Sequence, residues 1–325
     1  MQDLTKNHNK EERKVGIELE YAGIGINESV QVIKNLFGGQ EESESNIVCK
    51  VRDTKLGDFK IELDAIPLQK IAKEAQKKLE KDDSKSIKHL SEALNKAGEA
   101  IVPFEIVAPP IPISKLDELE KLCDKIKKYG AKGTSEHFYY AFGMHINPEV
   151  CSTEPDYITR HIQSFLMLYP LLIEQHNIDL TRRITSFVDP FPNSYLELVL
   201  NRDYKPDIEK LIKDYHHHNP TRNRALDMTP LFAFLDKKLV RKLYGKKEKI
   251  NKRPTFHYRL PDCDLGAKDW SIKDQWKIWL EVERVANDTN CLNSLLKKRA
   301  KYNESLIKLE SQWLKIIKQE LGYDA

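Results

Sequence analysis

The sequence predicts an α+β fold: a mostly antiparallel sheet with one face covered by helices and the other polar. Three observations predict it. Several short segments alternate apolar and polar residues, as half-buried strands do. Amphipathic helical patterns lie between them. Their order is not the regular strand–helix alternation of a parallel sheet, whose strands would also be apolar throughout rather than half polar.

In chain order, the first strand is "KVGIELEYAG". A period of two puts Val15, Ile17, Leu19 and Tyr21 on one face and Glu18 and Glu20 on the other. "DFKIELDAI", 58 to 66, turns Phe59, Ile61 and Leu63 inward and Lys60, Glu62 and Asp64 outward, and a helix follows at about 68 to 98. "PFEIVAP", 103 to 109, sets Glu105 opposite Phe104 and Ile106. In "SKLDELEKLCDKIKKYG", Ser114 and Asp117 form a capping pattern, Leu116, Leu119, Cys123 and Ile126 make the stripe, and Gly130 is the stop. "YAFGMHINP", 140 to 148, opposes Phe142, Met144 and Ile146 to His145 and Asn147. Helices at 156 to 177, 206 to 217 and 229 to 244 enclose a further strand, "YLELVLN", 195 to 201. "TFHYRLP", 255 to 261, then opposes Phe256, Tyr258 and Leu260 to His257 and Arg259. A helix at 272 to 287 follows, and the apolar residues from Leu292 to Leu321 fit one long amphipathic helix.

A chain of 325 residues can bury a sizeable core. Without a fixed repeat or a Pro/Gly/Ser-rich linker, it reads as a single domain, 1–325, with about 288–325 as a helical extension. Its 53 basic and 50 acidic residues leave a net charge of +3, which gives no case for a nucleic-acid or membrane partner. The basic run from 237 to 253 reads as a solvated face around Leu239, Val240, Leu243 and Tyr244. Five scattered cysteines without a CxxC suit a reducing, cytoplasmic setting. The polar N-terminus resembles no signal peptide, and "SFLMLYPLLIEQ" is too short to span a bilayer. His216, His217 and His218 read as a helix end whose dipole favours their cationic form. His161 and His176 read as structural, and Trp270, Trp276 and Trp279 as core. His137 precedes the fourth strand, and its spacing assigns it no role.

The polar positions are where the chemistry gathers. Glu18, Glu20, Glu62, Asp64 and Glu105 place five carboxylates on three strands. Glu18 and Glu20 alone have Cα atoms roughly 6.5–7 Å apart on one face. A merely wet face would mix signs across strands, whereas acid dominates here. Such oxygen-rich clusters suit Mg²⁺ or Mn²⁺, and paired metals with an arginine, here Arg259, suit phosphoryl transfer. No Rossmann or P-loop glycine pattern offers another nucleotide cradle.

"GIELE", "PFEIVAPP", "FGMHINPE", "NPTRNRALDMTPLFAF" and "FHYRLPDC", in that order, resemble the amidoligase family of the carboxylate–amine ligase superfamily, related to glutamine synthetase and glutamate–cysteine ligase. The resemblance implies an ATP-dependent ligase on a glutamine-synthetase-type antiparallel sheet, joining small-molecule or peptide carboxylates to amines through an acyl phosphate. It implies that Glu18 and Glu20 are the metal-binding ExE, that Glu105 is a later metal ligand, and that His145 lies near metal or nucleotide. Arg259 is implied to face phosphate. Beside these matches, Glu62 and Asp64 are further metal candidates, and Lys60 and Asn147 are candidates on the ATP side. Arg222 and Arg224 are candidates for gripping phosphate or substrate carboxylate. His257 stands where the family pattern leads one to expect an acid. Specificity is expected in loops 25 to 58 and 180 to 195. Two alternatives use the same sheet: a catalytically silent module that binds a peptide or small acid, and a two-metal phosphoesterase.

Overall fold

The computed structural model describes residues 3–63, 103–134, 142–178, 190–245, 250–305 and 309–323. The expected helix at 68 to 98, Asp64 and His137 lie outside the described residues.

Among the described residues, strand β1 (Lys14–Tyr21) is the centre of a seven-stranded antiparallel sheet. After helix α1 (Ile26–Phe37) come β2 (Gln40–Ser45), β3 (Val48–Thr54) and β4 (Gly57–Leu63), a meander of successive hairpins. β4 pairs with β5 (Phe104–Val107), and β5 pairs with β1 along Glu18–Tyr21. β6 (Ile111–Pro112) continues along the same edge of β1, at Lys14 and Val15. β7 (Met144–Pro148) takes the opposite edge. The sheet therefore gathers described segments from between residues 14 and 148 around one strand. The segment 255 to 261, expected as a regular strand, and Asp262 after it instead follow β7 through isolated antiparallel bridges, Gly143 to Asp262, Ile146 to Tyr258 and Glu149 to Thr255.

The apolar face is dry. Val15, Ile17, Leu19, Phe59, Ile61, Ile106, Met144, Ile146, Phe256 and Tyr258 are all buried. Helix α1 packs on β3 and β4, with Phe37 stacked on Phe59. Two further helices, α2 (Leu116–Lys128) and α3 (Pro155–Gln175), join this layer, and the 255–262 segment packs through Tyr258 on Phe165 of α3. Later in the chain come α4 (Asn193–Val199), α5 (Ile208–His218), α6 (Thr229–Leu235), α7 (Lys237–Tyr244), α8 (Ile272–Asn287), α9 (Thr289–Asn303) and α10 (Glu310–Leu321). Trp279 of α8 packs on both Phe256 and Tyr258. The end of β1 approaches the end of α2 so closely that a Cβ on Gly23 would fall 2.3 Å from the Gly130 carbonyl oxygen. Both glycines have positive φ, the region that side chains avoid.

Several expectations are corrected. "YLELVLN" is the helix α4: Tyr195 and Val199, four residues apart, share its buried face, and over so short a run periods of two and 3.6 are hard to tell apart. The expected helix 229–244 is two, because Asp236 leaves helical geometry and its side chain caps Leu239 N–H at 2.9 Å. The single tail helix is also two; α10 packs back on α9 and α3, where Trp313 donates to the Met167 carbonyl at 2.9 Å. Ser114 does not cap α2 but bonds Glu12. The span 25 to 58 is not a loop, since it holds α1, β2 and β3. β2 escaped notice because every residue of "QEESES" is exposed, which suits an edge strand and leaves no apolar pattern. Burial lowers the pKa of His216 and His218, against the dipole argument. His161 and His176 are buried and bonded within the core, as expected. No helix among the described residues is long and apolar enough to cross a membrane.

Candidate functional site

Directly opposed residues in an antiparallel ladder share a face, so the register itself builds the site. Glu62, Glu105 and Glu20 form one cross-strand row on β4, β5 and β1. Lys60, Val107, Glu18 and His145 form the next, from β4 across to β7. Gly16 opposes Asn147. The bridge between Ile146 and Tyr258 brings Asn147 alongside His257 and His145 alongside Arg259.

Glu18 is only 7% exposed and fully engaged. Its Oε2 lies 2.8 Å from His145 Nδ1, and its Oε1 accepts from Asn147 Nδ2 at 3.0 Å and from Arg253 Nη1 at 2.9 Å. Glu20 accepts the Gly143 N–H at 2.6 Å through Oε2, while its Oε1 is 3.7 Å from His145 Nε2. Glu105 Oε1 is 3.8 Å from His145 Nδ1. His145 is thus the hub of three carboxylates. His257 Nδ1 lies 2.6 Å from Asn147 Oδ1, and its ring meets that of His145 edge-on with centroids 5.1 Å apart. Since the Asn147 amide nitrogen donates to Glu18, its oxygen faces His257, so His257 carries its proton on Nδ1 and keeps a lone pair on Nε2.

Electrostatics divides the two buried neighbours. Burial opposes the charge of Glu18, yet the hydrogen bond with His145 and the positive surroundings, Arg253 among them, hold its carboxyl well below the usual range. Burial pushes His257 well below an ordinary histidine, and Arg259 and Arg253 reinforce this against the pull of Glu18. Glu18 is therefore an anion beside a neutral His257. Glu20 and Glu105 bring carboxylate oxygens within 4.8 Å of each other and of a His145 nitrogen. Two unit charges at that separation repel by on the order of 3 kcal/mol at an effective dielectric of about 20, which a cation would reverse.

Among the described residues two donor sets can hold such an ion: Glu20 with Glu105 and His145, and Glu18 with His145 and His257. The first fits Mg²⁺ or Mn²⁺, which take one or two carboxylates and fill the rest with water or phosphate oxygen. Glu62 sits in the same row, but its Oε2 is held by Lys60 Nζ at 2.5 Å.

The arginines divide. Arg259 donates to the Arg222 carbonyl at 2.9 Å beside the histidines. Arg222 Nε reaches Asp227 at 3.2 Å and Thr229 at 3.1 Å. Arg224 is buried elsewhere: it bonds Asn219 and the Pro190 carbonyl and lies over the Phe191 ring. Sequence reasoning missed Arg253. It ends the basic run read as a solvated face, and only its position two residues before "TFHYRLP" hints at the site.

The family described as "Putative amidoligase enzyme" matches residues 11–281. The chain belongs to this amidoligase family. Its name points to an enzyme that forms amide bonds, and the matched span of the amidoligase runs from β1 into α8, taking in every site residue named above. No curated protein matches the chain.

Proposed function

We propose that this amidoligase is an ATP-dependent carboxylate–amine ligase working through an acyl phosphate on a glutamine-synthetase-type sheet. The observation that carries the reading is the convergence of Glu18, Glu20 and Glu105 on His145, with Arg253 paired to Glu18, on the polar face of an antiparallel sheet. Family membership supplies the reaction class.

In this reading Glu20 and Glu105 would hold Mg²⁺ or Mn²⁺, with water and phosphate oxygens completing its shell, and the ion would neutralise charge on the ATP phosphates. Arg259 and Arg253 bind phosphate or substrate carboxylate, since a guanidinium grips either with two donors. A substrate carboxylate oxygen attacks the γ-phosphorus and ADP leaves. The amine then attacks the acyl carbon, phosphate departs, and an amide remains. The charge that develops on the oxygens in both steps is what fixed cations stabilise.

Glu20→Ala and Arg259→Ala are expected to lower ADP formation by at least about 10²-fold while the melting temperature holds. Undiminished ADP formation in both would overturn the proposal. A second reading, a silent module that binds a small acid, is favoured by His257 and by the ion pair that already occupies Glu18. Carboxylate binding with no ADP formation for any acid and amine pair would support it.

A further inference from the structure

We propose that the two donor sets on this face are chemically different, and that the Glu18–His145–His257 set selects a transition ion that accepts imidazole nitrogen, of the Fe²⁺, Co²⁺ and Zn²⁺ class, over Mg²⁺. The inference rests on the metal-binding part of the proposed function and goes beyond it by assigning ion class to position.

The argument starts from ligand count. A neutral imidazole ligates through one nitrogen, so His145 serves one set at a time, although both draw on it. If His145 goes with His257 and Glu18, the first set keeps Glu20 and Glu105, two carboxylates that water and phosphate can complete around Mg²⁺. The other set is then two imidazoles and one carboxylate. That combination is the ligand choice of Fe²⁺ and Zn²⁺ sites, whereas Mg²⁺ holds to oxygen.

The surroundings prepare His257 for this role. All three side chains of the set are buried. Asn147 Oδ1 sits 2.6 Å from His257 Nδ1 and fixes the tautomer, the arrangement by which outer partners orient ligating histidines. The same amide donates to Glu18 Oε1 at 3.0 Å, so one side chain aligns both an imidazole and a carboxylate. Arg253 also takes Oε1, while Oε2 lies 2.8 Å from His145 Nδ1, so an ion held by this set replaces that hydrogen bond and takes its two atoms as ligands.

The test uses the full chain and metals alone. Co²⁺ and Mg²⁺ are titrated into wild type and His257→Glu, with affinities read by calorimetry. The expected result is that the Co²⁺ to Mg²⁺ affinity ratio narrows by at least about tenfold in the variant. Because a glutamate in a buried histidine's place can unfold the chain, a second measurement needs only wild type. In its Co²⁺-loaded form, the proton NMR spectrum is expected to show two exchangeable imidazole N–H signals shifted by the paramagnetic ion. An unchanged ratio in a folded variant, or Co²⁺ bound without shifted imidazole signals, overturns the inference and leaves the ligase reading standing. No divalent ion bound by wild type overturns both. Two-imidazole Co²⁺ binding in a protein that never forms ADP upholds this inference and removes the ligase.

Discussion

Arg253 shows how a residue can matter without announcing itself. It follows the exposed Lys252 in a lysine-rich run, and neither its type nor its spacing separates it from the lysines. Folding brings it to Glu18, 235 positions away, where its guanidinium stands in for a cation at 2.9 Å. A metal using Glu18 must compete with that guanidinium. Arg253→Gln is therefore expected to tighten Co²⁺ binding by about tenfold, roughly 1.4 kcal/mol, measured by calorimetric titration. Weaker binding would show that Arg253 supports the ion rather than competing with it. Glu18, Glu20 and Glu105, by contrast, were legible at once, because an acid on an alternating strand has a predictable face. The hub role of His145 was not, since it depends on which strands are neighbours.

At the scale of elements, legibility follows the strength of the pattern. β1, α2, α3 and α8 carry apolar residues at one clear period, and the structure starts each within two residues of expectation, although β1 ends earlier, at Tyr21. α4 and β2 do not, the first because it is short and the second because all of its residues are exposed and polar. One junction between elements is held by charge. Arg13, just before β1, and Glu283 on α8 form an ion pair with no exposure, reinforced by Trp279 Nε1 at 2.6 Å from the Glu283 carboxylate and by Arg13 Nε on the Glu149 carbonyl. Removing one charge leaves the other buried and uncompensated. Glu283→Gln is expected to cost about 3–5 kcal/mol in urea unfolding, far more than loss of a surface pair. A change below about 1 kcal/mol would mean that water or another anion reaches Arg13.

The whole molecule should register its buried histidines as a pH dependence. Burial pushes His161, stacked against Phe256, down to about 4, and pushes His257 well below its ordinary value. Both imidazoles are neutral when folded and titrate near 6.5 when the chain unfolds. The unfolded state thus binds more protons below pH 6.5, so stability is full above that pH and declines as pH falls toward 4. His161 alone accounts for about 3 kcal/mol of that decline. His161→Phe should flatten the slope of unfolding free energy against pH between 6.5 and 4. An unaltered slope would place the titrating groups elsewhere. The same burial ties the sheet to its helices, because Phe256 and Tyr258 lie between β7 and the aromatic residues of α3 and α8.

The sequence by itself determined the class of fold, the faces of its strands, and the identity of the acids on the polar face. Those are local properties: a period of two fixes which side a residue takes, and composition fixes what it carries. Only the tertiary structure decided which acids meet. The order β4-β5-β1-β7 sets Glu62, Glu105 and Glu20 in one row and Glu18 beside His145, and it sends the predicted Arg224 to a different contact. Strand order and register arise from hydrogen bonds between segments far apart in the chain, and no local pattern encodes which distant segment a strand will choose.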